Sequence, residues 1–180
     1  LIRAEIKVPG QHQVTNTLAA VRVAKLLGLD MEQMTRGIAS VVPIAGRNRI
    51  IQEGNFTLID DCYNANPVSM KAALDLLSLA DTRKVAILGD MFELGENSDM
   101  LHSGVGCYAK GKTDLLICIG ENAKHIYDGA KEAGVAHIYH FTDKESFLRE
   151  KENLLQAGDT ILLKASHGMA FETLISQLLQ

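Results

Sequence analysis

The sequence lacks a basic stripe. Its 18 Lys and Arg residues are outnumbered by 22 Asp and Glu, for a net charge of -4. A chain without clustered cations cannot neutralise phosphates along a nucleic-acid backbone, so nucleic-acid binding is excluded as a class. Only three cysteines are present, Cys62, Cys107 and Cys118, with no C-x-x-C pairing. An odd, scattered set suggests neither a disulfide framework nor a zinc site. No apolar run reaches the roughly 20 residues of a membrane span, and no charged-then-apolar leader opens the chain, so the reading is a cytoplasmic protein without membrane insertion. Two phosphate-binding signatures are also missing. There is no Gly-x-Gly-x-x-Gly after a strand, which argues against NAD or FAD, and no Gly-x-x-x-x-Gly-Lys-Ser/Thr anywhere.

What remains is an ordinary globular composition, 47% hydrophobic and 22% charged in 180 residues. That length accommodates one large domain or one and a fraction. Residues 1 to 9 alternate in the manner of a strand ending at Pro9-Gly10. Val14, Leu18, Val21 and Leu26 mark a helix that Gly28 can terminate, and its first turn carries His12 and Asn16 on one face. Asp30 with Gln33 reads as a capping box for a short helix reaching about Ala39. Val42-Pro43-Ile44-Ala45-Gly46 is the natural boundary, which divides the chain into segments 1–45 and 46–180. A hairpin follows, 49–52 with 56–59, turning at Glu53-Gly54-Asn55.

Beyond residue 60 short apolar runs at 84–88, 114–119, 136–141 and 159–163 alternate with helical segments near 99–110, 122–133, 144–156 and 169–179. Strands alternating with helices predict an α/β fold, a Rossmann-like, mostly parallel sheet flanked by helices. Cys118 falls inside such a run and reads as core.

Within that plan one stretch stands out, Ile59-Asp60-Asp61-Cys62-Tyr63-Asn64-Ala65-Asn66-Pro67. It joins a strand to a helix whose apolar positions are Met70, Ala73, Leu74 and Leu77. Asp and Asn favour tight turns and Pro67 suits a first helical position. On local chemistry alone the stretch reads equally as an elaborate helix cap and as a ligand turn, since the carboxyl end of a parallel strand is where open α/β sheets bind ligands. Cys62 has no sequence neighbour that could activate it and reads as a passive occupant. Two further strand ends collect polar groups: Asp90 with Glu93, and Lys164 with Ser166 and His167. Glu93 reads as a cap for the helix after Gly95, His102 as a packing residue, and His125, His137 and His140 as surface or core. His12 alone reads at least as well as a helix-start side chain bonding a neighbouring loop.

The run Asp-Asp-x-Tyr-Asn-Ala-Asn-Pro-x-Ser-Met-Lys-Ala-Ala-Leu from Asp60, and Ile87-Leu88-Gly89-Asp90-Met91-Phe92-Glu93-Leu94-Gly95, resemble the C-terminal part of the Mur ligases. The start around Gly10-x-His12 resembles the family's Gly-x-His-Asn-x-x-Asn motif, and Gly46-Arg47 resembles the Gly-Arg opening its third domain. The resemblance implies that residues 1–45 end a central ATP-binding domain and that 46–180 form the C-terminal domain. It implies ATP and Mg2+ as cofactors, with the phosphate loop and most magnesium ligands on an upstream segment, in keeping with a chain that opens on Leu1 rather than Met.

By the same resemblance Asn16 approaches the adenine, with His12 beside it. Arg47 reaches the ATP phosphates, Asp60 and Asp61 contact the ribose, and Asn64 and Asn66 shape the turn and meet nucleotide or substrate. Asp90, Lys164 and Ser166 face the incoming peptide. No catalytic residue and no metal ligand is assigned to these 180 residues. Gln13, Asn48, Ala165 and His167 stand where the family commonly has Asn, Met, Gly and Arg. The implied reaction adds D-alanyl-D-alanine to UDP-N-acetylmuramoyl-tripeptide through an acyl phosphate, by a monomer whose isolated 180 residues are inactive. A sister ligase of the Mur or folylpolyglutamate type and a non-catalytic binding module are the alternatives.

Overall fold

The structure, a computed structural model, describes residues 3–179. Its elements in chain order are α1 (Gln11–Leu26), α2 (Met31–Ala39), β1 (Arg49–Glu53), β2 (Phe56–Asp60), α3 (Pro67–Leu77), β3 (Lys84–Gly89), α4 (Ser98–Tyr108), β4 (Leu115–Ile119), α5 (Ala123–Ala133), β5 (Ile138–Phe141), α6 (Lys144–Leu154), β6 (Thr160–Lys164) and α7 (Glu172–Leu178), with 3-10 turns at Gly95–Asn97 and His167–Met169. The six strands form one sheet in the order β1-β2-β6-β3-β4-β5. Only the β1–β2 hairpin is antiparallel; the other four pairings are parallel. The α/β expectation is met.

Side chains leave a strand alternately to its two faces, and both faces here are apolar. Ile59, Ala86, Leu88, Leu116, Cys118 and Leu162 pack under α3, α4 and α5 through Met70, Leu74, Val105 and Ile126. Leu58, Val85, Ile87, Ile117, Ile161 and Leu163 pack on the opposite face, with Phe147 of α6 and Leu174 and Leu178 of α7. The result is a three-layer sandwich in which the carboxyl ends of β2, β6, β3, β4 and β5 share one edge. The helices α4 and α5 approach so closely that a Cβ on Gly106 would stand 1.9 Å from the Ile126 carbonyl oxygen, and one on Gly129 would stand 2.2 Å from that of Ser103.

Three expectations change. The strand predicted over residues 1 to 9 does not form: residues 3–9 lie outside the sheet, and Leu1 and Ile2 fall outside the described residues. Alternation makes a strand only where an edge is free to pair. Here Ile6 and Val8 instead line an apolar groove of about 230 Å³ with Val21 and Ala24 of α1 and Met34 and Ile38 of α2. The final helix begins three residues later than predicted, because a 3-10 turn at His167–Met169 and a left-handed Ala170 (φ 49°) precede it. The Glu93 carboxylate does not cap α4. Glu93 has φ 61°, and α4 starts from the 3-10 turn without a side-chain cap. The capping box Asp30–Gln33 forms as expected. Among the described residues, no helix is long and apolar enough to cross a membrane.

Candidate functional site

The turn after β2 is built from paired charges and satisfied backbone. Asp60, the last residue of β2, accepts from the Gly46 N–H at 2.9 Å and lies 3.5 Å from Arg49 Nε. Gly46 is left-handed (φ 75°), and a Cβ there would meet Tyr63 at 3.1 Å, so this close approach of two backbones requires glycine. Asp61 faces the other way. Its Oδ1 accepts from the Asn48 N–H at 3.2 Å and its Oδ2 from Lys164 Nζ at 2.5 Å. The same ammonium donates to the Asn64 carbonyl at 2.8 Å and lies 3.4 Å from that of Asp61. Asn64 Oδ1 accepts from the Ala65 N–H. Asn66 and Ser69 exchange bonds as a capping box with Pro67 at the first helical position. Of the two readings of this segment, the helix cap therefore forms.

Above this floor sits Arg47. Its guanidinium lies 4.1 Å from the centroid of the Tyr63 ring, which is half exposed, and His167 stands beside that ring at 5.7 Å. Among the described residues no carboxylate pairs with Arg47. From the other side comes α1: Asn48 Nδ2 lies 3.2 Å from His12 Nε2, and Asn16 donates to Gln13 Oε1. Asn48 itself is buried and left-handed (φ 50°), a conformation that Asn tolerates better than most side chains.

Together these groups surround a cleft of about 640 Å³ that brings His12, Asn16, Arg47, Asp61, Asn64, Asn66 and Lys164 to one place. Asp60 is directed elsewhere, into a neighbouring hollow of about 460 Å³ behind Tyr63, lined also by Arg49, His167 and Glu172. Asp90 and Ser166 do not line the cleft. Asp90 Oδ1 accepts from the Ala123 N–H at 2.7 Å, tying the end of β3 to the start of α5. Ser166 Oγ accepts from the Phe92 N–H at 2.8 Å, and the Ser166 N–H donates to the Asp90 carbonyl. Those two residues lace the strand-end loops to one another.

Polar and aromatic members of the cleft that escaped the sequence reading as site residues are Tyr63, Asn48, Gln13 and Ser69. An aromatic residue in a polar turn was the available signal for Tyr63. His102 does more than pack: fully buried, it accepts from the Met91 N–H through Nε2 and reaches the Ser98 carbonyl through Nδ1, anchoring the loop after β3. Cys62 is buried, and burial together with Asp60 pushes its thiol far above the usual range, which makes it a poor nucleophile. Among the described residues no three His, Cys, Asp or Glu side chains converge as a metal site.

A mostly parallel sheet carrying its polar groups at the carboxyl edge, with the Arg47 guanidinium above an acidic and amide-rich turn, defines an α/β domain with a polar cleft at that edge. The chain belongs to the Mur ligase family: residues 46–167 match the family described as "Mur ligase, glutamate ligase domain". It is 31% identical over 97% of its length to the UDP-N-acetylmuramoyl-tripeptide–D-alanyl-D-alanine ligase of Bacillus subtilis and 33% identical over 96% to that of Escherichia coli. The chain spans 39% and 38% of those proteins. Among solved structures it resembles MurF from Acinetobacter baumannii, with TM-score 0.89 and 31% identity, covering 98% of this chain and 39% of that one. MurF from Thermotoga maritima, solved in complex with ADP, shares the fold at TM-score 0.79 and 24% identity, covering 95% and 38%.

Proposed function

We propose that this chain is the C-terminal part of an ATP-dependent ligase that joins D-alanyl-D-alanine to UDP-N-acetylmuramoyl-tripeptide. The observation that carries the reading is Arg47, a guanidinium with no carboxylate partner among the described residues and stacked on Tyr63 over the cleft that gathers His12, Asn16, Asp61, Asn64 and Asn66. A guanidinium is permanently charged and forks onto two oxygens, so it suits a phosphate chain. In this reading Arg47 binds the phosphates of ATP, the amide-rich turn and Asp61 hold the ribose, and Asn16 meets the adenine. The relatives named above, and the ADP held by the Thermotoga structure, support it.

In the reaction so assigned, the terminal carboxylate of the tripeptide attacks the γ-phosphorus of ATP, giving an acyl phosphate and ADP. The amine of D-alanyl-D-alanine then attacks the acyl carbon, phosphate leaves, and the amine gives up its proton. Oxide is a poor leaving group and phosphate a good one, which is why activation precedes amide formation. The contribution of this chain is positioning and charge neutralisation. In this reading Mg2+ would be held mostly by residues of other parts of the protein.

Segment 1–45 fits the end of a preceding nucleotide-binding domain. Leu18, Leu26, Leu27, Val42 and Ile44 are each more than half exposed, apolar surface that further polypeptide would cover. A cytoplasmic, monomeric protein completes the proposal. The test is phosphate release by the full-length protein with ATP, magnesium, UDP-N-acetylmuramoyl-tripeptide and D-alanyl-D-alanine, each omitted in turn. Release that needs all four supports the assignment; release without the peptide substrates, or none from a folded protein, defeats it. The 180 residues alone are expected to release none.

A further inference from the structure

Lys164 was expected to face a substrate, yet it is only 2% exposed and its ammonium is committed inside the protein. Its contacts are Asp61 Oδ2 at 2.5 Å, the Asn64 carbonyl at 2.8 Å and the Asp61 carbonyl at 3.4 Å. An ammonium has three protons to give, and three acceptors of one turn surround it. The turn also carries an electrostatic problem. Asp60 and Asp61 are adjacent, and two carboxylates beside a cleft would repel a polyanion. Each has its own cation: Arg49 lies 3.5 Å from Asp60, and Lys164 holds Asp61. Arg47 is left over as the free positive charge in the cleft. Both oxygens of Asp61 are oriented, one by Lys164 and the other by the Asn48 N–H.

We propose that Lys164 is a positioning residue that acts through Asp61: it aims that carboxylate, pins the Asn64 backbone, and cancels a negative charge that would otherwise keep a nucleoside triphosphate out of the cleft. The inference rests on the nucleotide reading given above. It assigns Lys164 no contact with either peptide substrate.

Removing the ammonium while leaving Asp61 makes a specific electrostatic prediction. The penalty must grow with the charge of the ligand, because an uncompensated carboxylate in a low-dielectric cleft repels each added phosphate. A residue that merely supports the fold would weaken all ligands alike.

The experiment measures binding of ATP, ADP and adenosine to the full-length protein and to Lys164→Met, Asp61→Asn and the double variant. For Lys164→Met the expected loss is about tenfold or more for ATP, less for ADP and least for adenosine. In the double variant the ratio of ATP to adenosine affinity is expected to return to within about threefold of the unaltered protein's, since removing both partners restores the net charge beside the cleft and leaves no unpaired buried charge.

Should Lys164→Met fail to fold, the comparison of the double variant with the unaltered protein still decides. An unchanged ratio of ATP to adenosine affinity upholds the inference, and a loss that still grows with the charge of the ligand overturns it by showing a contact of Lys164 with phosphate that does not run through Asp61. An equal loss for all three ligands in Lys164→Met also overturns it. Failure of the unaltered protein to bind any adenine nucleotide overturns the functional reading first, and this inference with it.

Discussion

Neighbouring residues of the turn have opposite fates because a strand's side chains alternate. Asp60 is directed toward Gly46 and Arg49, while Asp61 meets Asn48 and Lys164. Arg47 escapes both and is supported by the Tyr63 ring. Arg47→Ala is therefore expected to lower nucleotide affinity by about 10- to 100-fold, the worth of charge-assisted bonds to phosphate, with the melting temperature nearly unchanged because the side chain is exposed. Titration calorimetry and thermal melts on one preparation check both halves.

The sequence makes the residue types of the site legible, since Asp60 through Asn66 stand out in any reading of the chain. It does not make their directions legible. Nothing local says that Lys164 turns inward or that Asp90 spends an oxygen on the first turn of α5, because those directions depend on segments about 100 and 30 residues away.

Helices and strands follow local rules more faithfully. The Asp30–Gln33 box starts α2 where the pattern puts it, and β3, β4 and β6 form within a residue or so of their apolar runs. The misplaced strand at the start shows the limit, because alternation specifies two faces and not the partner.

The cap of α6 makes a pH prediction. Asp143 accepts from the Ser146 N–H at 2.7 Å, and that bond holds its carboxyl below the ordinary 3.8. A group whose folded value is depressed stabilises above its unfolded value and loses that contribution as pH falls through the folded one. Asp143→Ala should thus be less stable than the unaltered protein at pH 7, with the gap closing below about pH 4 in urea melts repeated across pH. At the α4–α5 contact, Gly106→Ala should cost at least about 3 kcal/mol in the same melts, because its new methyl meets backbone that cannot rotate aside.

Across the whole molecule the informative feature is the strand order. The period-2 faces, the flanking helices and the shared carboxyl edge follow from the alternating pattern of elements. The position of β6 does not, since pairing between segments distant in sequence leaves no local mark. β6 joins β2 on one side and β3 on the other, in register with Leu58 and Val85 at Ile161. Truncation before residue 159 is expected to abolish cooperative unfolding, as seen by circular dichroism, because it leaves two separate strand groups with unpaired edges. An internal deletion confined to the exposed turn at Gly111 would not.

The same arrangement sets a timetable during synthesis. β6 is made last of the six described strands, so β2 and β3 must wait through roughly 70 to 100 further residues, several seconds at ordinary elongation rates, with open edges that other chains could join. Lys164 ends that strand. The cation that pairs with Asp61 therefore arrives with the piece that closes the sheet, and a nascent chain cannot present a finished cleft before that strand is in place.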